Sequence, residues 1–193
     1  MTCIVGLEKH GMLSFGGDSI TVRSYTKTIN RDPKVFQRDS LLFGTTGPVR
    51  LRNLLQYRLE IPVWAASHDP MTYLMNDFLE ALHACFHNDG FEQEDKGRRF
   101  FEGRILLGLR SKLYIVGDEY NIGRPSGSYC AIGVGEEYAS GSLHTTEQMN
   151  MEPLQRLRLA LEAAAYHNTD VAGPFTFVTS EETAYVAAAR TAH

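Results

Sequence analysis

Residues 1–19 have the sequence MTCIVGLEKHGMLSFGGDS and give the clearest indication of the fold. Residues 2–7 form an alternating run that is rich in β-branched side chains, and residues 12–15 form a short apolar run. The polar residues 8–11, which end in a glycine, separate the two runs as the turn of a β-hairpin would. The sequence therefore predicts two antiparallel strands, the second of which is broken by residues 16–19.

Similar signals continue along the chain. Further strands are predicted at residues 41–45, 104–109, 112–116, 129–132, 175–178 and 185–189. Helices are predicted from residue 49 to near Pro62 and at residues 70–86, 136–143 and 153–166. The expected buried stripes are Leu74, Phe78, Leu82 and Cys85 on one helix, and Leu154, Leu157, Leu161 and Ala164 on another. Residues 21–32 are polar and carry no strand signal, and the charged residues 87–103 suggest a surface insertion.

The order of these elements predicts the fold class. Strands and helices come in adjacent groups, whereas a doubly wound parallel sheet needs them to alternate. We expect an α+β fold in which two antiparallel sheets pack face to face with helices on both outer sides. The sequence shows no repeat and no linker, so a single domain over residues 1–193 is predicted.

Composition excludes several classes of protein. The chain has 193 residues, of which 19 are Lys or Arg and 23 are Asp or Glu, so its net charge of −4 disfavours a nucleic-acid binder. Three cysteines without a CxxC motif support neither a disulfide framework nor a thiolate metal site. No apolar run approaches the ~18 residues of a membrane span, and no signal peptide is recognisable. We expect a cytoplasmic protein that binds neither membrane nor nucleic acid.

Thr2 is a candidate nucleophile, because removal of Met1 leaves it with a free α-amine beside its own hydroxyl. A threonine hydroxyl is a weak nucleophile, but an α-amine with a pKa of about 8 can accept its proton near neutral pH. A serine hydrolase would instead need a histidine and a carboxylate, and the chain has no GxSxG motif. The pattern favours an N-terminal threonine nucleophile.

Asp18 and Lys34 are candidate partners of Thr2. Asp18 follows the second strand of the hairpin, which returns beside the first strand and brings the carboxylate towards Thr2. Lys34 follows Pro33, and a buried ammonium group paired with Asp18 keeps its charge. Such a cation favours loss of the hydroxyl proton and keeps the α-amine neutral.

Five segments of the chain carry a resemblance to a known family. They are, in order, residues 1–6 (MTCIVG), 16–19 (GGDS), 32–36 (DPKVF), 43–47 (FGTTG) and 131–135 (AIGVG). Together they resemble the proteasome β-subunit and HslV family of N-terminal nucleophile (Ntn) hydrolases. The resemblance is clearest over residues 1–60, returns over residues 129–180, and implies the four-layer αββα sandwich of the Ntn-hydrolase fold.

The resemblance also implies roles for single residues. Thr2 falls on the catalytic threonine of the family, Asp18 and Lys34 on its aspartate and lysine. Gly47 falls on the glycine whose backbone N–H forms the oxyanion hole, and Asp170 on a later aspartate of the family.

Binding residues follow from the same resemblance. Thr21, Thr45 and Val49, together with Asp32, Phe36 and Asn53, fall on the walls beside the nucleophile, and this mixture indicates no single preferred side chain. Gly173, Thr176 and Thr179 fall where HslV-like enzymes bind a monovalent cation such as Na⁺ through backbone carbonyls. No other cofactor is expected.

Val134 departs from the family pattern, which usually has a serine there. A valine side chain cannot form hydrogen bonds, so the terminal amine loses one orienting partner. Either a water or a nearby hydroxyl such as that of Ser128 compensates, or the enzyme is slow or inactive.

The resemblance implies a threonine peptidase that hydrolyses peptides or unfolded proteins inside a homo-oligomeric ring. Ring stacking and an unfoldase ATPase partner are further expectations of the family. Two alternatives stay open: a catalytically silent ring subunit that retains Met1, and an amidase that acts on a small molecule.

Two other features have alternative interpretations. Cys3 would be an N-terminal nucleophile if two residues were removed, but the positions of Asp18 and Lys34 favour Thr2, so Cys3 is predicted to face inward from its strand. His83 and His87 have the i, i+4 spacing of zinc ligands on a helix, yet no third ligand is evident. A partly exposed histidine pair is therefore the preferred interpretation.

Overall fold

The computed structural model describes residues 2–24, 26–64 and 69–180. Its strands are β1 (Cys3–Lys9), β2 (Met12–Gly17), β3 (Ile20–Arg23), β4 (Thr26–Ile29), β5 (Val35–Arg38), β6 (Leu41–Thr46), β7 (Gln93–Asp95), β8 (Arg98–Phe100), β9 (Arg104–Leu109), β10 (Lys112–Val116), β11 (Ile122–Gly123), β12 (Tyr129–Gly133) and β13 (Thr176–Thr179). Its helices are α1 (Val49–Tyr57), α2 (Pro70–Tyr73), α3 (Leu79–Asn88), α4 (Glu136–Thr145) and α5 (Pro153–His167).

The strands form two main antiparallel sheets, as the grouping of elements predicts. The first sheet has the order β12–β1–β2–β13, and the second has the order β11–β10–β9–β6–β5. The predicted N-terminal hairpin is β1–β2, paired from Ile4 opposite Gly17 to Lys9 opposite Met12. Two further hairpins, β3–β4 and β7–β8, stand apart from the main sheets.

Apolar side chains pack on both faces of each main sheet. On β1, Val5 packs towards α4 and α5, whereas its neighbour Ile4 packs with Leu42 and Leu106 of the second sheet. The other face of the second sheet, which carries Phe43, packs against α1 and α3. The alternation of side chains along a strand thus buries β1 from both sides.

The second predicted helix contains an irregular turn. A π-helical turn, Leu74–Phe78, joins α2 to α3, and the helix runs to residue 88. Leu74, Phe78 and Leu82 are buried as predicted, but the stripe continues through Phe86, and Cys85 is only half-buried. A π turn holds one more residue than the expected spacing allows for, which rotates the buried face along the helix.

Two other predictions need correction, and a third cannot be compared with the structure. Leu154 was expected to be buried on α5 but is 47% exposed, and Ala160 takes its place in the core. Residues 21–32 contain the hairpin β3–β4, which polar side chains on both faces conceal from a hydrophobic pattern. The predicted strand at residues 185–189 lies outside the described residues.

The predicted insertion begins within the last turn of α3 and contains an exposed hairpin at residues 93–100. Strands β7 and β8 pair from Gln93 opposite Phe100 to Asp95 opposite Arg98, and their side chains are largely exposed. The end of the segment differs, since Phe101 is fully buried between aromatic rings. Within the described ranges, no helix is long and apolar enough to cross a membrane.

Candidate active site

The candidate nucleophile and carboxylate lie at adjacent strand ends. Thr2 directly precedes β1 and Asp18 directly follows β2, and the antiparallel pairing of these strands brings the two residues together. The Cys3 backbone N–H donates to Asp18 Oδ1 at 2.9 Å, and the Ile20 N–H donates to Asp18 Oδ2 at 3.2 Å. Asp18 is fully buried, so backbone donors replace the water it has lost.

Lys34 and Gly47 lie at the ends of a second antiparallel pair. Lys34 precedes β5 and Gly47 follows β6, the partner strand of β5. Lys34 Nζ donates to Thr2 Oγ1 at 3.0 Å, to Asp18 Oδ2 at 2.8 Å and to the Ile20 carbonyl at 2.6 Å. Three acceptors thus match the three N–H groups of the ammonium.

Burial sets the electrostatics of the Lys34–Asp18 pair. Desolvation lowers the pKa of Lys34 and raises the pKa of Asp18, because burial disfavours the charged form of either group. Their mutual attraction and the N–H groups of Cys3 and Ile20 act in the opposite direction. The ammonium therefore holds its proton less firmly than a surface lysine, next to the hydroxyl of Thr2.

Two glycines with positive φ allow the backbone to close around Thr2. The Val134 N–H donates to the Thr2 carbonyl at 2.8 Å, and a Cβ on Gly133, whose φ is +106°, would lie 2.1 Å from that oxygen. Gly47 has a φ of +115°, and a Cβ there would lie 2.8 Å from the Gly103 Cα. Side chains at these positions would displace the backbone beside the nucleophile.

Thr2 faces two clefts. The first, of about 360 Å³, is lined by Thr21, Thr45 and Val49, as the resemblance implies, and by Lys34 and Gly47. The second, of about 460 Å³, also includes Gly47 and Val134; its ionisable lining residues are Glu102, Arg104 and Asp118.

Three expected wall residues do not line the first cleft. The described residues that line the first cleft do not include Asp32, Phe36 or Asn53. Phe36 stacks on Phe43 in the core, at 5.3 Å between ring centroids. Asp32 instead accepts a hydrogen bond from Arg52 at its backbone carbonyl, at 3.0 Å.

Sequence reasoning missed the cationic residues of the first cleft, which are Arg23, Arg50 and Arg52. Arg52 lies on α1, and although arginine side chains are mostly exposed, it is only 6% exposed. One signal was present in the sequence: α1 begins two residues after Gly47, so its first polar side chains must lie near the site.

Asp170 and Ser128 have no observed contact with Thr2. The Asp170 N–H donates to the side chain of Asn168, and the structure records no hydrogen bond from the Asp170 carboxylate to Thr2 or Lys34 among the described residues. Ser128 lies at the far end of β12 from Thr2, where its hydroxyl donates to Glu147 at 3.2 Å. Ser128 therefore cannot compensate for Val134.

The expected cation ligands do not fit one ion. Thr176 and Thr179 lie three positions apart on the extended strand β13, which separates their carbonyl groups by about 10 Å and points them to opposite sides. The remaining expected ligand, Gly173, cannot bring these two carbonyls together.

The other candidate groups have structural roles. Cys3 is fully buried towards α4 and α5, and burial raises the pKa of its thiol to about 12, as expected for an inward-facing residue. His83 Nε2 and His87 Nδ1 lie 2.9 and 3.3 Å from the two oxygens of Glu92. In the part of the chain with described coordinates, no three His, Cys, Asp or Glu side chains are placed to hold a metal ion.

Comparisons with known proteins show which solved structures have a similar fold. No protein-family model matches the chain, and no curated protein matches it by sequence. The structure of Thiobacillus denitrificans BPH in complex with epoxomicin is similar, with a TM-score of 0.78 and 16% identity over 93% of this chain and 98% of that one. Eukaryotic HslV from Trypanosoma brucei gives a TM-score of 0.65 and 14% identity, over 92% of this chain and 98% of that one.

A third solved structure extends the same group. It is a mutant of Anbu from Hyphomicrobium sp. strain MC1, with a TM-score of 0.65 and 15% identity over 94% of this chain and 82% of that one. The chain therefore has the fold of HslV-like proteins, and the resemblance predicted from the sequence motifs is confirmed at that level.

Proposed function

We propose that the chain is a threonine peptidase of the HslV and proteasome type, whose nucleophile is Thr2 after removal of Met1. One observation carries the proposal: Lys34 Nζ lies 3.0 Å from Thr2 Oγ1 and 2.8 Å from Asp18 Oδ2. Because Lys34 donates to the hydroxyl oxygen, it stabilises the negative charge that develops there when the proton leaves. The fold likeness to HslV-like proteins adds support.

The α-amine of Thr2 acts as the general base in this mechanism. It accepts the hydroxyl proton, through a water molecule, as Oγ attacks the carbonyl carbon of the substrate. Asp18 holds Lys34 in place and compensates its charge. The Val134 N–H fixes the Thr2 carbonyl, so the backbone of the nucleophile does not move during attack.

Gly47 supplies the oxyanion hole. Its backbone N–H stabilises the tetrahedral intermediate, and the absence of a side chain lets the substrate carbonyl approach. The peptide C–N bond then breaks, the leaving amine takes the proton, and an ester remains on Thr2. Water hydrolyses the ester and restores the threonine hydroxyl.

The proposal includes a setting for the reaction. The two sheets and their flanking helices form the four-layer αββα sandwich of Ntn hydrolases, a view supported by apolar clusters on both faces of each sheet. The chain assembles with its own copies into a ring in the cytoplasm, and an unfoldase ATPase supplies unfolded protein substrates. Asp170 acts as a supporting residue, as the family resemblance implies.

A silent ring subunit is the second candidate, and Val134 is the observation that favours it. Its side chain lines the second cleft with Thr2, where a serine hydroxyl would orient the terminal amine. The serine considered as a substitute, Ser128, bonds to Glu147 instead. This subunit would retain Met1 and serve assembly alone.

Intact mass and activity together test the proposed function. We expect the purified protein to lack Met1, to gain the mass of one epoxomicin molecule per chain, and to cleave peptides. Thr2→Ala should abolish the adduct and lower cleavage by at least about a thousandfold, because it removes the attacking oxygen. Thr145→Ala makes the same type of change at an exposed position on α4 and should leave both unchanged.

Two results would contradict the proposal. Peptide cleavage by Thr2→Ala at the wild-type rate would exclude Thr2 as the nucleophile. Retained Met1 combined with no adduct and no cleavage would favour the silent subunit.

A further inference from the structure

The first cleft beside Thr2 has a concentrated positive charge. Arg23, Arg50 and Arg52 line it together with Lys34, and no Asp or Glu lines it within the ranges that the structure describes. The chain as a whole has a net charge of −4, so this lining runs against its overall balance. Like charges placed around one cleft repel each other, and a bound anion relieves that repulsion.

Arg52 has unused hydrogen-bonding capacity. Its side chain is 7% exposed, and its Nη2 lies 3.5 Å from Asp32 Oδ2. Its Nε is buried and has no hydrogen-bond partner. Buried guanidinium N–H groups are normally paired, so a ligand with acceptor oxygens fits this side chain.

The other cationic side chains of the first cleft have less capacity to bind an anion. The three N–H groups of Lys34 have acceptors in Thr2, Asp18 and Ile20. Arg50 donates to the Asp89 carbonyl. Arg23 is exposed at the rim. Arg52 is therefore the main candidate to bind an anion inside the cleft.

The positive charge of Arg52 acts on the ammonium group of Lys34. Burial is the main cause that lowers the pKa of Lys34, and the nearby positive charge of Arg52 lowers it further. An anion bound to Arg52 would therefore lie close to the reacting atoms. The side chain next to the scissile bond is the part of a peptide that can reach this place.

The second cleft has a mainly acidic lining, in contrast to the first cleft. Glu102 and Asp118 line it, and its one cationic lining residue in the described ranges, Arg104, pairs with Glu136. An acidic substrate side chain is disfavoured there and favoured in the first cleft. Thr2 thus lies between a cationic and an acidic surface.

We propose that Arg52 makes the first cleft a subsite for an acidic side chain, so that the peptidase cleaves next to Asp or Glu in its substrates. This inference rests on the proposed function and names its substrate class. The guanidinium donates charge-assisted hydrogen bonds to the substrate carboxylate, which competes with the carboxylate of Asp32 beside Nη2.

Matched quenched-fluorescent peptides test the preference. One set carries Glu or its neutral isostere Gln immediately before the scissile bond, another carries them immediately after it, and mass spectrometry identifies the cleaved bond. We expect Glu to raise kcat/KM at least about tenfold over Gln at one of the two positions, as a hydrogen bond between charged groups permits. No advantage of Glu at either position would overturn the inference.

Variants assign the preference to Arg52. Arg52→Gln should remove most of the Glu advantage, whereas Arg52→Lys keeps the charge and should keep part of it. Asp32→Asn removes the carboxylate that competes for Arg52 and should increase the advantage; its side chain is 67% exposed, so folding should not suffer. If Arg52→Gln fails to fold, Asp32→Asn still decides, since an unchanged advantage contradicts the assignment.

Arg58→Gln is the matched control. It removes the same charge from an exposed arginine directly after α1, outside the cleft, and should leave the Glu-to-Gln ratio unchanged. Cleavage of the Gln peptide by wild type but not by Thr2→Ala reports on the proposed function alone. Equal cleavage of Glu and Gln peptides refutes only the acidic subsite, and cleavage of neither peptide, without an epoxomicin adduct, refutes both proposals.

Discussion

Lys34 determines how the site should respond to pH. Its cationic form donates to Thr2 Oγ1, and burial lowers its pKa from the usual 10.5. On the proposed mechanism, activity needs the Thr2 amine neutral and Lys34 charged. Raising the pH should therefore first increase the activity, because the amine loses its proton, and then decrease the activity, because Lys34 loses its proton.

We expect a bell-shaped dependence of kcat/KM on pH. The acid limb should lie near or below the usual α-amine pKa of about 8. The alkaline limb should lie below 10.5, because the folded protein holds the Lys34 proton less firmly than water-exposed lysine does. Initial rates with an uncharged peptide, measured where the fold is intact by circular dichroism, would show this. A rate that still rises beyond pH 10.5 would mean that a charged Lys34 is not required.

The positions of single site residues were predictable where the connections between strands alone bring those residues together. Thr2, Asp18, Lys34 and Gly47 each lie within one residue of a strand end, so the two hairpins bring them together. Arg52 was not predictable in this way, because whether a helical arginine faces water or a cleft depends on how α1 packs.

The hairpin β7–β8 is an element that the proposed chemistry does not use. Its side chains are largely exposed, and its ion pair Arg98–Glu119 lies on the surface, where such pairs contribute little stability. Gln93 and Phe100 are opposite each other at its base, so a two-residue turn can join them.

We expect replacement of residues 94–99 by Asn-Gly to change peptide cleavage by less than about twofold and the melting temperature by less than about 4 °C. Phe101→Ala is the contrast, since this ring packs 5.1 Å from Phe86 and 5.2 Å from Tyr120 between centroids. It should cost about 3–5 kcal/mol of unfolding free energy. Thermal and urea unfolding measure both, and a loss in the shortened chain as large as that in Phe101→Ala would make the hairpin a structural element.

Elements were predictable from sequence where one physical signal dominated. The hairpins β1–β2 and β9–β10 follow from apolar runs separated by tight turns. The hairpin β3–β4 has mostly exposed or half-buried side chains, so no hydrophobic pattern marks it. The π turn Leu74–Phe78 depends on packing, and helical spacing alone cannot anticipate it.

At the scale of the whole molecule, the outer helices leave apolar surface open. Leu154 and Tyr166 on α5 are 47% and 87% exposed, and Tyr138 on α4 stacks on His167 at 4.9 Å between ring centroids. Exposed apolar groups of this size often mark contacts between chains. They are consistent with the proposed ring.

We expect native mass spectrometry to show defined multiples of the chain mass and cleavage per chain to fall on dilution as the assembly dissociates. Thr2→Ala should assemble like wild type, because it alters the nucleophile and no exposed surface. A chain that stays monomeric at high concentration and cleaves peptides at full rate would contradict assembly as a requirement for activity.

The burial of Thr2 has a consequence for the life of the protein in the cell. Thr2 is 4% exposed, and its carbonyl is held by the backbone of Val134. Removal of Met1 requires access to the peptide bond before Thr2, and folding buries Thr2. On the proposed function, a chain that folds with Met1 in place lacks the free α-amine that serves as the base, so the timing of processing sets the fraction of active molecules.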